Sequence, residues 1–159
     1  MSVQDVKDVF IWGNHSKTQY PDIAVATVKG APVSESKGAG GEILTEYWQG
    51  EFITKVQVRG AAVMEARKLS SAMSAANACK DHLRDWYFGS GGRTVSMGIL
   101  AAQNPYEVKE GVCFSFPIVC GGNWAVDIKE GISLSDFSKQ KIRETEAELF
   151  EEKELAALT

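Results

Sequence analysis

The stretch that most restricts the fold of this chain lies between residues 112 and 128. It reads VCFSFPIVC, GGN and WAVDI, so an apolar run of strand length is followed by a glycine-rich segment and a second apolar run. Glycine accepts positive φ at little cost, and residues 121–123 therefore suit a hairpin turn. The stretch predicts two antiparallel strands, at 112–120 and 124–128, joined by that turn.

Three further runs have strand character, and they cover residues 6–12, 24–29 and 94–100. A Gly/Ser-rich segment within 33–43 predicts a surface loop. The strand runs do not alternate with helices in a repeating βαβ pattern, which favours an antiparallel sheet over a parallel one.

Helical periodicity begins near residue 44 and continues to residue 69, with an interruption at Gly60 and a second one at Ser70 and Ser71. Another helical stretch covers residues 72–88. A last helix is predicted from Ser135, which is a suitable N-cap residue, and its many glutamates are expected to form a solvated face. The expected fold class is therefore α+β, an antiparallel sheet with long helices.

Composition narrows the functional classes. The 159 residues are 44% apolar and 24% charged, which is typical of a globular domain, and the net charge of −4 offers no basic surface for nucleic acid. The chain has no apolar stretch of about 18 residues that would span a membrane. Neither nucleic acid nor a membrane is therefore expected as a partner. The three cysteines, Cys79, Cys113 and Cys120, form no CxxC motif, which favours a reducing compartment.

Several catalytic and binding motifs are missing from the sequence. No GxGxxG follows a strand, and neither GxxxxGK[ST] nor GxSxG occurs. The two histidines are not at ligand spacing and the cysteines are scattered, so no metal site is expected. The chain therefore lacks the usual motif for a dinucleotide pyrophosphate.

The two histidines differ in their surroundings. His15 lies in GNHS, directly after the apolar run VFIW at 9–12, where a histidine could be a proton shuttle, a metal ligand or a turn residue without a chemical role. His82 lies in KDHLRDW on a predicted helix, where we expect a structural or solvated residue bonded to a nearby carboxylate.

Six motifs, in order along nearly the whole chain, resemble one enzyme family. The sequence is similar to the C-terminal, substrate-side half of malate dehydrogenases of the cytosolic type, within the lactate/malate dehydrogenase superfamily. The GNHS box and the RGAAV…ARKLSSAMSAA segment are its most specific parts. The motifs are IWGNHSKTQYPD (11–22), GEFITKVQVRGAAVMEARKLSSAMSAA (50–76), DHLRDWYFG (81–89), VSMGI (95–99), FSFPIVC (114–120) and DFSKQKI (136–142).

The resemblance implies an NAD-dependent enzyme that interconverts malate and oxaloacetate, with a role in malate metabolism. It makes His15 the catalytic acid/base. Malate oxidation removes a proton from a hydroxyl while hydride leaves the same carbon, and an imidazole is suited to this proton transfer near neutral pH.

The resemblance also gives Ser71 a substrate-binding role, because this region of the family faces the substrate and the nicotinamide. The alternative for Ser71 is a hydroxyl that only caps a helix. The small residues at 72–76 would pack against the cofactor or a second subunit, and region 44–88 is expected to form a two-fold homodimer contact. Arg59 is expected to form a structural ion pair.

The family's Rossmann domain has no counterpart in this sequence. Residues 1–159 are therefore expected to be the C-terminal catalytic and substrate-binding domain alone, with the main NAD site outside them, and to be inactive by themselves. Cytoplasmic localisation follows from the cytosolic-type resemblance. Two alternatives stay open: a dehydrogenase of another 2-hydroxy acid such as lactate, and a non-catalytic dimerisation or interaction module.

Overall fold

A computed structural model describes residues 2–38, 40 and 43–157 of the chain. Its helices and strands, labelled in chain order, are β1 (Val6–Lys7), β2 (Phe10–Trp12), β3 (Tyr20–Asp22), β4 (Thr27–Val28), β5 (Ala31–Pro32), α1 (Thr45–Gln49), α2 (Glu51–Gln57), α3 (Arg59–Arg67), α4 (Ala72–Phe88), β6 (Thr94–Leu100), β7 (Cys113–Gly122), β8 (Ala125–Ile128) and α5 (Asp136–Ala157). Single-turn 3₁₀ helices occupy Val3–Asp5 and Val33–Glu35.

The described strands pair only in the antiparallel sense. They form a β6-β7-β8 sheet, a β2-β3 hairpin and a small β1-β4-β5 sheet. The prediction of an α+β fold with antiparallel sheets and long helices is confirmed.

The predicted hairpin at the end of β7 forms, but its turn begins two residues later than expected. Gly122 pairs with Ala125, and a bulge follows Cys120. The turn residues are therefore Asn123 and Trp124, and both have positive φ, as a two-residue type I′ turn requires.

Two of the predicted strands are wrong in extent. The run at 6–12 is divided between β1 and β2, which belong to different sheets, because Asp8 has a φ of 58°. The run at 24–29 shortens to β4, and the strand β3 was not predicted. The Gly/Ser-rich segment contains one 3₁₀ turn and a bridge between Lys37 and Ile43; its residues 39, 41 and 42 lie outside the described part.

The predicted break at Gly60 is also wrong. The predicted helix is interrupted at Gly50 and at Val58 instead, and Gly60 lies inside α3. The predicted start of α5 is confirmed, because the Ser135 hydroxyl accepts the backbone N–H of Ser138 at 3.1 Å, as an N-cap residue does.

The core lies between the β6-β7-β8 sheet, the β2-β3 hairpin and α5. The side chains of Phe114, Phe116 and Ile118 alternate along β7 and are fully buried, as period-2 patterning requires. Trp12 of β2 packs edge-on against Phe116, with ring centroids 6.4 Å apart, and Ile142 brings α5 into the same cluster.

A buried carboxylate fixes the β2-β3 hairpin. Asp22 accepts the indole N–H of Trp12 at 3.1 Å, the hydroxyl of Tyr20 at 3.2 Å and the backbone N–H of Ala24 at 2.9 Å. The Tyr20 hydroxyl lies 3.0 Å from Ser138 on α5. Burial, reinforced by the negative charge of Asp22, raises the pKa of Tyr20. The hairpin and the first turn of α5 therefore form one hydrogen-bonded unit.

Helices α3 and α4 contain no buried residue, so most of their surface is open. Among the described residues, no helix has both the length and the apolar character required to cross a membrane.

The end of β2 lies very close to α5. Gly13 exchanges two backbone hydrogen bonds of 3.1 Å with Ser115, and its φ is 87°. A Cβ atom at this position would lie 2.1 Å from Cγ2 of Thr145, a side chain that is 0% exposed. Only glycine fits both the backbone conformation and the space.

We predict that Gly13→Ala destabilises the chain by more than about 3 kcal/mol, because positive φ and overpacking against Thr145 act together. The matched control is Gly30→Ala. Gly30 has a φ of 82° and no atom within 4 Å of a Cβ, so it should lose only about 1 kcal/mol. Urea titrations measure both values; equal losses in the two variants would contradict the role of the Thr145 contact.

Candidate active site

His15 lies on a tight loop, residues 13–19, between β2 and β3. Its side chain is exposed, and the structure gives it no hydrogen-bond, ion-pair or ring partner among the described residues. The imidazole is thus held on a well-anchored loop while both ring nitrogens stay open to a ligand.

The N-terminal side of this loop is attached to α5. The backbone N–H of Asn14 donates to the Thr145 hydroxyl at 2.8 Å, and the Asn14 amide group donates to Glu152 at 3.0 Å. The residue that precedes His15 is therefore fixed through both its backbone and its side chain.

Glu148 on α5 accepts hydrogen bonds from three polar side chains of the loop. Its Oε2 atom accepts the Asn14 amide group at 3.3 Å and the hydroxyls of Ser16 and Thr18. Burial raises the pKa of this carboxyl, but the three hydrogen bonds together outweigh burial, and the net pKa is lowered. Glu148 is therefore ionised over a wider pH range than an ordinary glutamate.

The C-terminal side of the loop is attached to α2. The Gln57 amide group donates to the Gln19 carbonyl at 2.9 Å, and the Gln19 amide group donates to the Ser16 carbonyl at 3.0 Å. Both flanks of His15 are thus fixed to helices that come much later in the sequence.

Ser71 directly precedes α4 as its N-cap residue, but its hydroxyl forms no capping hydrogen bond. The hydroxyl of Ser70 accepts the backbone N–H of Ala72 at 3.0 Å instead. The half-buried Ser71 hydroxyl has no partner among the described residues and is available to a ligand. The structure records no direct contact between Ser71 and His15.

Two expectations about other polar residues are wrong. His82 is not bonded to a carboxylate in the described part and lies edge-on to the Trp86 ring at 6.1 Å. Arg59 is exposed and has no ion-pair partner there. Most glutamates of α5 are exposed, as expected, but Glu146 is buried and accepts the backbone N–H of Lys109.

Within the described ranges, no group of three or more His, Cys, Asp or Glu side chains is placed to bind a metal ion. The cysteines are unpaired there: Cys79 and Cys113 are exposed, while Cys120 is buried, which raises the pKa of its thiol.

The family of lactate/malate dehydrogenase alpha/beta C-terminal domains matches residues 2–158. The chain belongs to this family. The resemblance inferred from the sequence motifs is therefore confirmed, as is the fold class that it implied.

Individual relatives agree with the family. The cytoplasmic malate dehydrogenase of Felis catus is 52% identical over 155 residues, which are 96% of this chain and 45% of that protein. The solved malate dehydrogenase of Naegleria fowleri is 37% identical, with a TM-score of 0.84 over 96% of this chain and 45% of that one. The lactate dehydrogenase of Trichomonas vaginalis, solved in complex with NADH and oxamate, is 32% identical, with a TM-score of 0.85 over 99% of this chain and 47% of that one.

The chain therefore spans about half the length of the relatives that it matches. The residues that anchor the His15 loop were not predicted from the sequence. Thr145 and Glu148 lie three and six residues after Ile142, in a helix whose glutamates predicted only a solvated face. The one available signal was Thr145 itself, a small polar residue within the apolar spacing of α5.

We predict that Glu148→Gln lowers the free energy of unfolding at pH 7 and that this loss shrinks as the solution is acidified below the ordinary glutamate pKa of about 4.3. The native pKa of Glu148 is lowered, so its carboxylate stabilises the fold above the unfolded pKa of about 4.3. That contribution is lost as the pH falls through the native pKa. Urea titrations across this range measure the difference, and parallel stability curves for the two proteins would contradict the prediction.

Proposed function

We propose that residues 1–159 form the catalytic and substrate-binding domain of a cytoplasmic, NAD-dependent malate dehydrogenase. The observation that carries the proposal is the exposed, unbonded His15 on a loop fixed at both ends. It is supported by 52% identity to a relative named cytoplasmic malate dehydrogenase.

In malate oxidation, His15 accepts the proton of the substrate hydroxyl through a ring nitrogen. The hydroxyl O–H bond and the C–H bond of the carbon that bears it break, and a carbonyl forms. The proton converts the imidazole to an imidazolium, and the hydrogen of the C–H bond leaves as hydride. In the reverse direction His15 returns this proton to the carbonyl oxygen of oxaloacetate. NAD, when bound, would accept the hydride that leaves this carbon. A single basic nitrogen with no competing partner suits this role.

The residues of the chain fit the nicotinamide end of such a cofactor. Ser71 has a free hydroxyl, and the neighbouring residues 72–76 are exposed and mostly small, so a flat ring can approach them closely. The chain has no GxGxxG motif for the pyrophosphate. Ser71 is therefore proposed to contact the substrate and the nicotinamide, and the phosphates would bind outside this domain.

Malate is favoured over lactate as the substrate. The identity to the cytoplasmic malate dehydrogenase of Felis catus is 52%, against 32% to the lactate dehydrogenase of Trichomonas vaginalis. Side-by-side assays with oxaloacetate and pyruvate separate the two substrates directly.

We predict that His15→Asn lowers turnover by about 10²–10⁴-fold, as expected for the loss of an acid/base group. The assay uses this chain fused behind the nucleotide-binding half of a cytoplasmic malate dehydrogenase, with NADH and oxaloacetate. His82→Asn is the matched control, because His82 contacts only the Trp86 ring, and it should retain activity.

The chain without the fused half is the baseline and should show no turnover. Unchanged turnover in His15→Asn would remove this residue from the mechanism. If the fused protein reduced neither oxaloacetate nor pyruvate, a non-catalytic interaction module would become the better description.

We also propose that helices α1–α4 provide a two-fold homodimer contact. Small side chains allow two helices to approach closely, and a two-fold interface uses the same patch on both subunits. Several large apolar side chains of this region are exposed to solvent in the single chain, among them Met64, Leu69, Met73 and Leu83.

We predict that the fused protein sediments as a dimer at micromolar concentration and that Met73→Glu shifts it to a monomer. Met73 is 76% exposed, so the charge is tolerated in the free subunit but costly in an apolar contact. Leu155→Glu is the control on α5, where Leu155 is 66% exposed outside the proposed contact. A monomeric parent protein, or dissociation caused equally by both variants, would contradict the proposal.

A further inference from the structure

We propose that Glu148 is a positioning residue that directs the imidazole of His15 toward the substrate. The inference rests on the proposed function, since it gives His15 a catalytic purpose, but its structural part can be tested without any activity.

Burial alternates along the loop around His15. Asn14, Ser16 and Thr18 are half-buried and turn toward α5, whereas His15 and Lys17 between them are exposed. The attachment of the even-numbered residues therefore decides the side on which His15 emerges.

These three side chains converge on one oxygen atom. Each of them donates to Oε2 of Glu148, which lies more than 125 residues later in the chain. Hydrogen bonds to an ionised carboxylate are roughly twice as strong as neutral ones. Glu148 is thus the main acceptor that ties the loop side chains to α5.

The remaining contacts replace Glu148 only in part. The Ser16 hydroxyl has Thr18 as its other partner at 3.0 Å, which lies within the loop itself. Thr18 retains its hydrogen bond with Thr145 at 2.9 Å. Asn14 retains its hydrogen bonds with Thr145 and Glu152. Without Glu148, Ser16 has no hydrogen bond to α5, and this is the residue directly after His15.

The test compares Glu148→Gln with Glu144→Gln in the 159-residue chain. Glu144 is the matched control because it is a hydrogen-bonded carboxylate on the same helix whose partners, Lys141 and Gln140, also lie on α5. Amide hydrogen exchange of residues 13–19 is measured together with that of β6 and β7, and the His15 ring is observed by NMR.

For Glu148→Gln we expect exchange in residues 13–19 to rise about tenfold or more, clearly above the smaller rise in the β6 and β7 amides that reports the lowered free energy of unfolding. The ring signals of His15 should also shift. Glu144→Gln should leave both unchanged. If Glu148→Gln does not fold, Thr18→Val removes one donor to the same oxygen and should accelerate loop exchange in the same way.

Two results would overturn the proposal. One is unchanged loop exchange and unchanged His15 signals in Glu148→Gln. The other is an equal rise in the loop and in β6 and β7, which would make Glu148 a contributor to global stability only. Since no cofactor or substrate is present, neither result depends on the proposed dehydrogenase activity, which the His15→Asn assay tests separately.

Discussion

The close approach of Gly13 to Thr145 is the contact on which the candidate site depends. It brings the end of β2 against the middle of α5, so the loop that follows can bond to the same helix through Asn14, Ser16 and Thr18. A side chain at position 13 would force the strand and the helix apart. The position of His15 is therefore set by a packing constraint at a residue that carries no functional group.

The His15 loop is fixed by hydrogen bonds, whereas the imidazole that it carries is exposed. The hydrogen bonds of the buried Asp22 carboxylate fix the β2-β3 hairpin. Hydrogen bonds to α2 and α5 fix the loop. The imidazole of His15 has no partner among the described residues. An unpartnered side chain on a fixed loop suits ligand binding, because a pre-ordered group loses little entropy when a ligand binds.

The sequence predicted the features that neighbouring residues determine. It did not predict the features that depend on tertiary contacts. The β7-β8 hairpin, the Ser135 N-cap and the helix at 72–88 follow from turn residues, capping chemistry and periodicity within a few residues. The predicted strand at 6–12 is divided at Asp8 because β1 and β2 pair in different sheets. The roles of Thr145 and Glu148 depend on contacts across more than 125 residues, and a glutamate-rich helix gives no local sign of them. The proposed role of His15 rests on motif resemblance, because a lone histidine after a strand could have several chemical roles.

The separation between the His15 loop and its anchors has a consequence for synthesis of the chain. The loop leaves the ribosome well before its anchoring helix, because the partners of Asn14 on α5 are 131 to 138 residues later in the chain. Chain elongation proceeds at about 5–20 residues per second, so the loop exists for several seconds before its anchoring helix is made. The β6-β7-β8 sheet can form earlier from neighbouring segments, whereas the geometry around His15 is completed only when the last helix docks.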